Sequence, residues 1–227
     1  MCQETYGNLK FMEAELGLRE RKKLRTRQLI AETARRMFVE RGFDAVPVSA
    51  VARAAEVSEA TVFNYFPTKE DLVFQGMEAF EAELLAAVRD RPAGESITKA
   101  FFKFALEPRG LLAASDGEAA SYLAEIAKMI TASPALQSRQ REILARYTAS
   151  LAAFIAEDTG AEPDDLRPSV VAQALIGAHQ SLIEFIHRRL LEGPADTVRL
   201  AGQVKSLGRD VFDLLERGLA DYGSENT

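Results

Sequence analysis

Two short apolar stripes, joined by a tight turn and closed by a proline, constrain this chain more than any other feature. In the stretch VSAVARAAEVSEATVFNYFPTKEDL, Val48, Val51, Ala52 and Ala55 recur at i, i+3, i+4 and i+7, which lines one face of a helix. Glu56-Val57-Ser58 follows, and Ser58 is a good N-cap for a second helix predicted from Glu59 to about Tyr65. Val62 and Phe66 give that helix a core side, while Thr61, Asn64 and Tyr65 project from it. A helix-turn-helix places such a second helix in the major groove of duplex DNA, with side chains near its start meeting base edges.

The run from Arg27 to Leu72 resembles the N-terminal domain of the TetR family of bacterial transcriptional regulators. The resemblance rests on the joint order of Phe38-Val39-Glu40-Arg41-Gly42-Phe43, Val51-Ala52, Val57-Ser58, Thr61-Val62-Phe63-Asn64-Tyr65-Phe66 and Pro67-Thr68-Lys69-Glu70-Asp71-Leu72, and covers roughly residues 20 to 72. It implies an all-α protein with a three-helix DNA-binding domain, followed by a helical domain that binds an effector and dimerises. The implied DNA-binding residues are Arg25, Arg27, Ser49, Ser58, Thr61, Phe63, Asn64, Tyr65 and Lys69. The implied partner is a palindromic double-stranded operator, bound by a homodimer that most often represses.

The chain departs from the family pattern at several positions. Glu56 stands where glycine is usual, so the turn either carries a non-glycine residue at positive φ or uses another geometry. Glu59 and Ala60 replace what is more often lysine and glycine, and a carboxylate there favours the helix dipole while opposing nearby phosphates. No phosphate contact is assigned to Glu59. Pro47 replaces a capping threonine and suits a first-turn position, which needs no backbone donor.

The total charge of −6 hides an asymmetry. Arg19 to Phe66 holds ten basic and six acidic residues, net +4, which leaves −10 for the rest. A local basic face can therefore hold phosphates in an acidic protein. Its densest part is Arg19, Arg21, Lys22, Lys23, Arg25 and Arg27, read either as a solvated helix start or as an arm reaching phosphates and the minor groove.

The single cysteine, Cys2, excludes an internal disulfide, and two histidines remote from it argue against a zinc site. No cofactor or metal is expected. Without a continuous apolar span or secretory leader, the expectation is a cytoplasmic protein with no membrane partner. Neither a Ser/His/Asp order, a glycine-rich phosphate loop nor a carboxylate pair suggests an enzyme. Asp164-Asp165 reads as a cap rather than a site.

Beyond residue 68 the pattern is helical throughout. The expected organisation is a flexible extension over 1–18, the DNA-binding domain over 19–67 and the effector-binding and dimerisation domain over 68–227. Thr68 and Asp71 resemble a capping box, and Val73, Met77, Phe80, Leu84 and Ala87 predict a linking helix from about Lys69 to Arg89. Further helices are expected around Ile97–Phe104, after a cap at Asp116, from Pro134 to before Gly160, from Pro168 to Leu191 and from Thr197 to Tyr222.

The last two helices are apolar over more than a hemisphere, as dimerising helices are, although one monomer could also fill both. The resemblance implies an apolar or aromatic small-molecule effector in the C-terminal domain. Phe80, Phe101, Phe104, Tyr122, Ile126, Met129, Tyr147 and Phe154 are candidate lining residues, and ordinary core packing is the plainer reading of each. His179 interrupts the stripe Leu175, Leu182, Ile186, and fits a core, an interface or a ligand contact. Glu125 and Gln180 are weaker candidates. The competing functional class is a helical dimer that binds a small molecule without operator affinity, favoured by Glu56 and Glu59.

Overall fold

The computed structural model describes residues 17–107, 117–193 and 196–219, except for the side chains of residues 78, 117–120, 122, 197 and 219. Every regular element among them is helical, in agreement with the expected all-α class. Among the described residues the α-helices are α1 (Leu18–Arg41), α2 (Val48–Ala54), α3 (Glu59–Tyr65), α4 (Met77–Arg89), α5 (Ile97–Leu106), α6 (Gly117–Ala132), α7 (Pro134–Thr159), α8 (Arg167–Leu191) and α9 (Thr197–Leu219).

Two compact units share these helices: residues 1–75 with 121–139, and residues 76–120 with 140–227. The division differs from the one expected after residue 67. Leu72, Val73, Met129, Ile130 and Leu136 are buried in the same core as the helix-turn-helix, which carries both segments into the first unit. Ion pairs between Arg35 and Glu125 (3.0 Å) and between Arg139 and Asp71 (2.8 Å) tie 121–139 to the rest of that unit.

In the first unit, α1 buries Ile30, Ala34, Met37 and Phe38, a four-then-three rhythm along one face. Val51, Ala52 and Ala55 from α2 and Val62 and Phe66 from α3 and its end complete the centre. The turn between α2 and α3 is decided by Glu56, the single non-glycine residue at positive φ (55°) among those described. Its N–H bonds to the Arg53 carbonyl (3.2 Å) and the next N–H, of Val57, to that of Ala52 (2.9 Å), the paired bonds of a left-handed helix stop. Glutamate there costs about 1 kcal/mol against a permissive residue.

Ser58 then caps α3, its Oγ accepting from the Thr61 N–H at 3.0 Å. Ser58→Ala should lower stability by about 1 kcal/mol, read as a fall in denaturation midpoint; an unchanged midpoint would mean the cap contributes nothing. Pro47 is the N-cap of α2 rather than its first helical residue. Thr68 and Asp71 do form a reciprocal box, N–H to side chain both ways at 3.0 and 3.3 Å.

That box opens a single 3-10 turn, Glu70–Leu72, instead of the long linking helix expected from Lys69. Gly76 at φ 85° separates it from α4, which begins only at Met77. Val73 consequently belongs to the first unit's core and not to the stripe of Phe80 and Leu84.

In the second unit α4 packs on α5, α5 on α8, and α9 on both α5 and α8. Gly208 marks the tightest approach of α9, since a Cβ there would lie 2.5 Å from a Leu106 methyl. Glu81 accepts hydrogen bonds from Ser150 (2.7 Å) and Arg146 (3.0 Å), and Arg91 forks onto Asp158, fixing α4 and the following turn to α7. Helix α8 is long and apolar enough to meet a length-and-composition test for a membrane span, but Leu175, Leu182, Ile186 and Leu190 are buried within its own unit. Asp116 and Tyr222 lie outside the described residues, as do residues 1–16.

Candidate nucleic-acid interface and the aromatic cluster

All nine residues expected to meet DNA lie in the first unit, but they are not equally available. Ser58 and Thr61 share a hydroxyl hydrogen bond of 2.8 Å, so both side chains serve the α3 cap. Phe63 (45% exposed) and Asn64 point to solvent, whereas Tyr65 is half-buried against the core. The outward face of α3 is therefore Glu59, Ala60, Phe63 and Asn64.

Arg27 reaches across to the end of α3. Its guanidinium donates to the Tyr65 carbonyl at 3.2 Å and lies 4.8 Å from the centre of the Phe66 ring. Lys69 donates to the Phe43 carbonyl at 2.7 Å, with its ammonium 4.2 Å from the Phe43 ring centre. Burial pulls the Lys69 pKa down, with the charges of Asp44 and Glu70 opposing. Both cations thus fasten the reading helix and its exit turn. Ser49 is half-buried near the start of α2, and Arg25 is exposed on α1. The basic run from Arg19 is the opening of α1 itself, not an extended arm ahead of it, and a helix is too wide for the minor groove of undistorted DNA. Arg19, Arg21, Lys22, Lys23 and Arg25 are exposed along those turns.

The candidate effector residues divide between the units. Ile126 and Met129 lie in the first, where with Arg35, Phe38, Leu72, Val73 and Gln75 they line a hollow of about 10 Å³, room for one water at most. Phe80, Phe101, Phe104, Tyr147 and His179 lie in the second and form one connected group. Phe80 sits 5.2 Å from Phe104, 6.0 Å from Tyr147 and 5.4 Å from His179, while Phe101 meets His179 edge-on at 6.4 Å. The Tyr147 hydroxyl donates to the Met77 carbonyl. Phe154 stands apart from this group, with the Arg89 guanidinium 5.7 Å from its ring centre. The Tyr122 side chain lies outside the described residues.

His179 takes the stripe position of an apolar residue. Burial drives its pKa from 6.5 to about 4, so it is neutral at neutral pH. Glu125 is paired with Arg35, and Gln180 donates to Glu184 at 2.8 Å. The sequence reading missed Phe212, whose ring is 6.0 Å from Phe101 and 4.6 Å from Phe102. The four-residue rhythm Leu200, Val204, Gly208, Phe212 was its available signal. Among the described residues no group of His, Cys, Asp and Glu is arranged to hold a metal ion.

A capped, outward-facing short helix on a three-helix core defines a helix-turn-helix DNA-binding domain, carried here by a chain with a second helical unit. Residues 30–75 match the model of bacterial regulatory proteins of the tetR family, and residues 92–220 match that of the MftR C-terminal domain. The chain belongs to the TetR family.

It is 38% identical over 80 residues to the HTH-type transcriptional regulator TcmR of Streptomyces glaucescens, 35% of each protein. It is 48% identical over 50 residues to the HTH-type transcriptional regulator LuxR of Vibrio harveyi, covering 22% of this chain and 24% of that one. These two matches therefore span well under two thirds of either relative. A longer match, 24% identical over 166 residues, covers 72% of this chain and 81% of the mycofactocin biosynthesis transcriptional regulator MftR of Mycobacterium tuberculosis. Among solved structures, NalD of Pseudomonas aeruginosa, the secondary repressor of a multidrug efflux pump, superposes with a TM-score of 0.54 at 18% identity, over 83% of this chain and 96% of its own. The fatty acid degradation regulator FadR of Bacillus halodurans gives 0.52 at 19% identity, over 82% and 94%. At these identities the likeness is one of fold.

Proposed function

We propose that this protein is a cytoplasmic, sequence-specific transcriptional repressor that binds a palindromic operator as a homodimer and releases it when an apolar small molecule occupies the second unit. The observation that carries the proposal is the outward face of α3, which presents Glu59, Ala60, Phe63 and Asn64 while Arg27 and Ser58 hold the helix in place. Side chains at the start of such a helix meet base edges in the major groove. The exposed cations of α1, from Arg19 to Arg25, supply phosphate contacts whose strength falls with salt.

One small reading helix makes few base contacts, and two copies on inverted half-sites double them. The surface offered for pairing comes from α8 and α9: Val170, Leu191, Leu207 and Leu214 are exposed apolar side chains, and Gly177 and Ser181 allow close approach of a second backbone. The effector reading rests on the Phe80, Phe101, Phe104, Tyr147 and His179 group. An effector changes operator affinity only by binding one spacing of the paired reading heads better than another. A coupling of about 1–3 kcal/mol alters occupancy roughly 5- to 150-fold.

Selection from a random duplex pool with the full-length protein tests the proposal. The expected product is two inverted half-sites centred about one duplex turn apart. A pool that emerges without enrichment overturns it and favours the competing reading of a small-molecule-binding dimer.

A further inference from the structure

Glu59 is the first residue of α3, is exposed, and shares the outward face with Ala60, Phe63 and Asn64. Among the described residues its carboxylate has no hydrogen-bond or ion-pair partner. The hydroxyls of Ser58 and Thr61 are bonded to each other and to the helix cap, and Tyr65 is half-buried against the core, so the exposed polar side chains of α3 are those of Glu59 and Asn64. No lysine or arginine stands in α3.

We infer that Glu59 selects a cytosine in each operator half-site by accepting a hydrogen bond from its N4 amino group. The inference rests on the proposed entry of α3 into the major groove. A carboxylate brought beside phosphates is repelled unless it gains a donor, and the base edges decide which donor is available. Guanine presents N7 and O6, both acceptors, and thymine an acceptor and a methyl group. Adenine offers its N6 amino group, but its neighbouring N7 faces the second carboxylate oxygen with another lone pair. Cytosine alone offers an amino donor with no such acceptor beside it on the same base. The rest of the face is consistent with a mixed half-site: the Asn64 amide matches the N6 and N7 of adenine, and Ala60 and Phe63 suit thymine methyl groups. Glu56, also exposed, lies in the turn before the helix and provides the internal comparison.

The experiment is a duplex-pool selection at one salt concentration with the wild-type protein, Glu59→Gln, Glu59→Ala and Glu56→Gln, each confirmed helical by circular dichroism. The wild type should fix a C·G pair at one position in each half-site. Glu59→Gln should shift that position towards adenine, because an amide both donates to N7 and accepts from N6, and Glu59→Ala should relax it. The preference for C at that position should fall on the order of 10-fold in both, with other positions unchanged. Glu56→Gln should keep the motif. A C preference that survives Glu59→Gln, a uniform gain at all sequences that marks Glu59 as a repelling charge only, or loss of the preference in Glu56→Gln would overturn the inference while leaving operator binding intact. Failure of the wild type to select any motif would overturn both.

Discussion

Lowering the pH from 6.5 to 4 should destabilise the wild-type protein by up to about 3 kcal/mol more than His179→Phe, measured by denaturant unfolding at each pH. The folded state holds His179 neutral down to about 4, whereas the unfolded chain takes up the proton near the ordinary value of 6.5. Between those limits the unfolded state binds more protons, so stability falls as pH falls; above 6.5 neither state is protonated and the difference vanishes. Phenylalanine preserves a ring beside Phe80 and Phe101 and removes the titrating group. His187, also shifted down by burial against the opposing charge of Glu184, is present in both proteins and cancels in the comparison. Parallel stability curves for the two proteins would show that the imidazole is solvated after all.

The second large effect concerns dimerisation. Leu207 and Leu214 are 39% and 65% exposed and lie seven residues apart on α9, on one side of the helix. Changing both to glutamate should cost the monomer less than it costs a paired surface, because in the monomer both positions reach water. In a paired surface the same two carboxylates would be buried without partners, or face their symmetry mates. The double variant should sediment as a folded monomer, and its operator affinity should fall on the order of 100-fold because the two reading heads no longer bind as one unit. A variant that remains dimeric would move the interface away from this face.

Much of the DNA-binding unit was legible because its signals are local. Ser58 announces a helix start, Thr68 and Asp71 announce each other, and the stripe of Val51, Ala52 and Ala55 needs no partner to be recognised. The limits of α3 followed from such signals, whereas the turn at Glu56 stayed open between two geometries until its backbone was seen at positive φ. Information that depends on distant packing was not legible. The periodicity through Val73 continues smoothly into Phe80 and Leu84, yet Gly76 adopts a left-handed backbone and breaks it, and a single glycine in a helical pattern does not reveal its φ. Ile126 and Met129 carry the same apolar signature as Phe101 and Phe104, and only tertiary contacts assign them to different cores. Arg27 and Lys69 illustrate the same limit for charge. A cation in a DNA-binding segment reads as a phosphate ligand, whereas here each is committed to a carbonyl and an aromatic ring. Their absence from the outward face leaves Glu59 and Asn64 as its hydrogen-bonding side chains.

The most direct test compares the affinity of the purified full-length protein for its selected operator with that for scrambled duplex of equal length at about 0.15 M salt. A ratio of at least about 1000, lost in Asn64→Ala, is the result predicted for a pair of reading helices seated in adjacent major grooves. Equal affinity for both duplexes would contradict it.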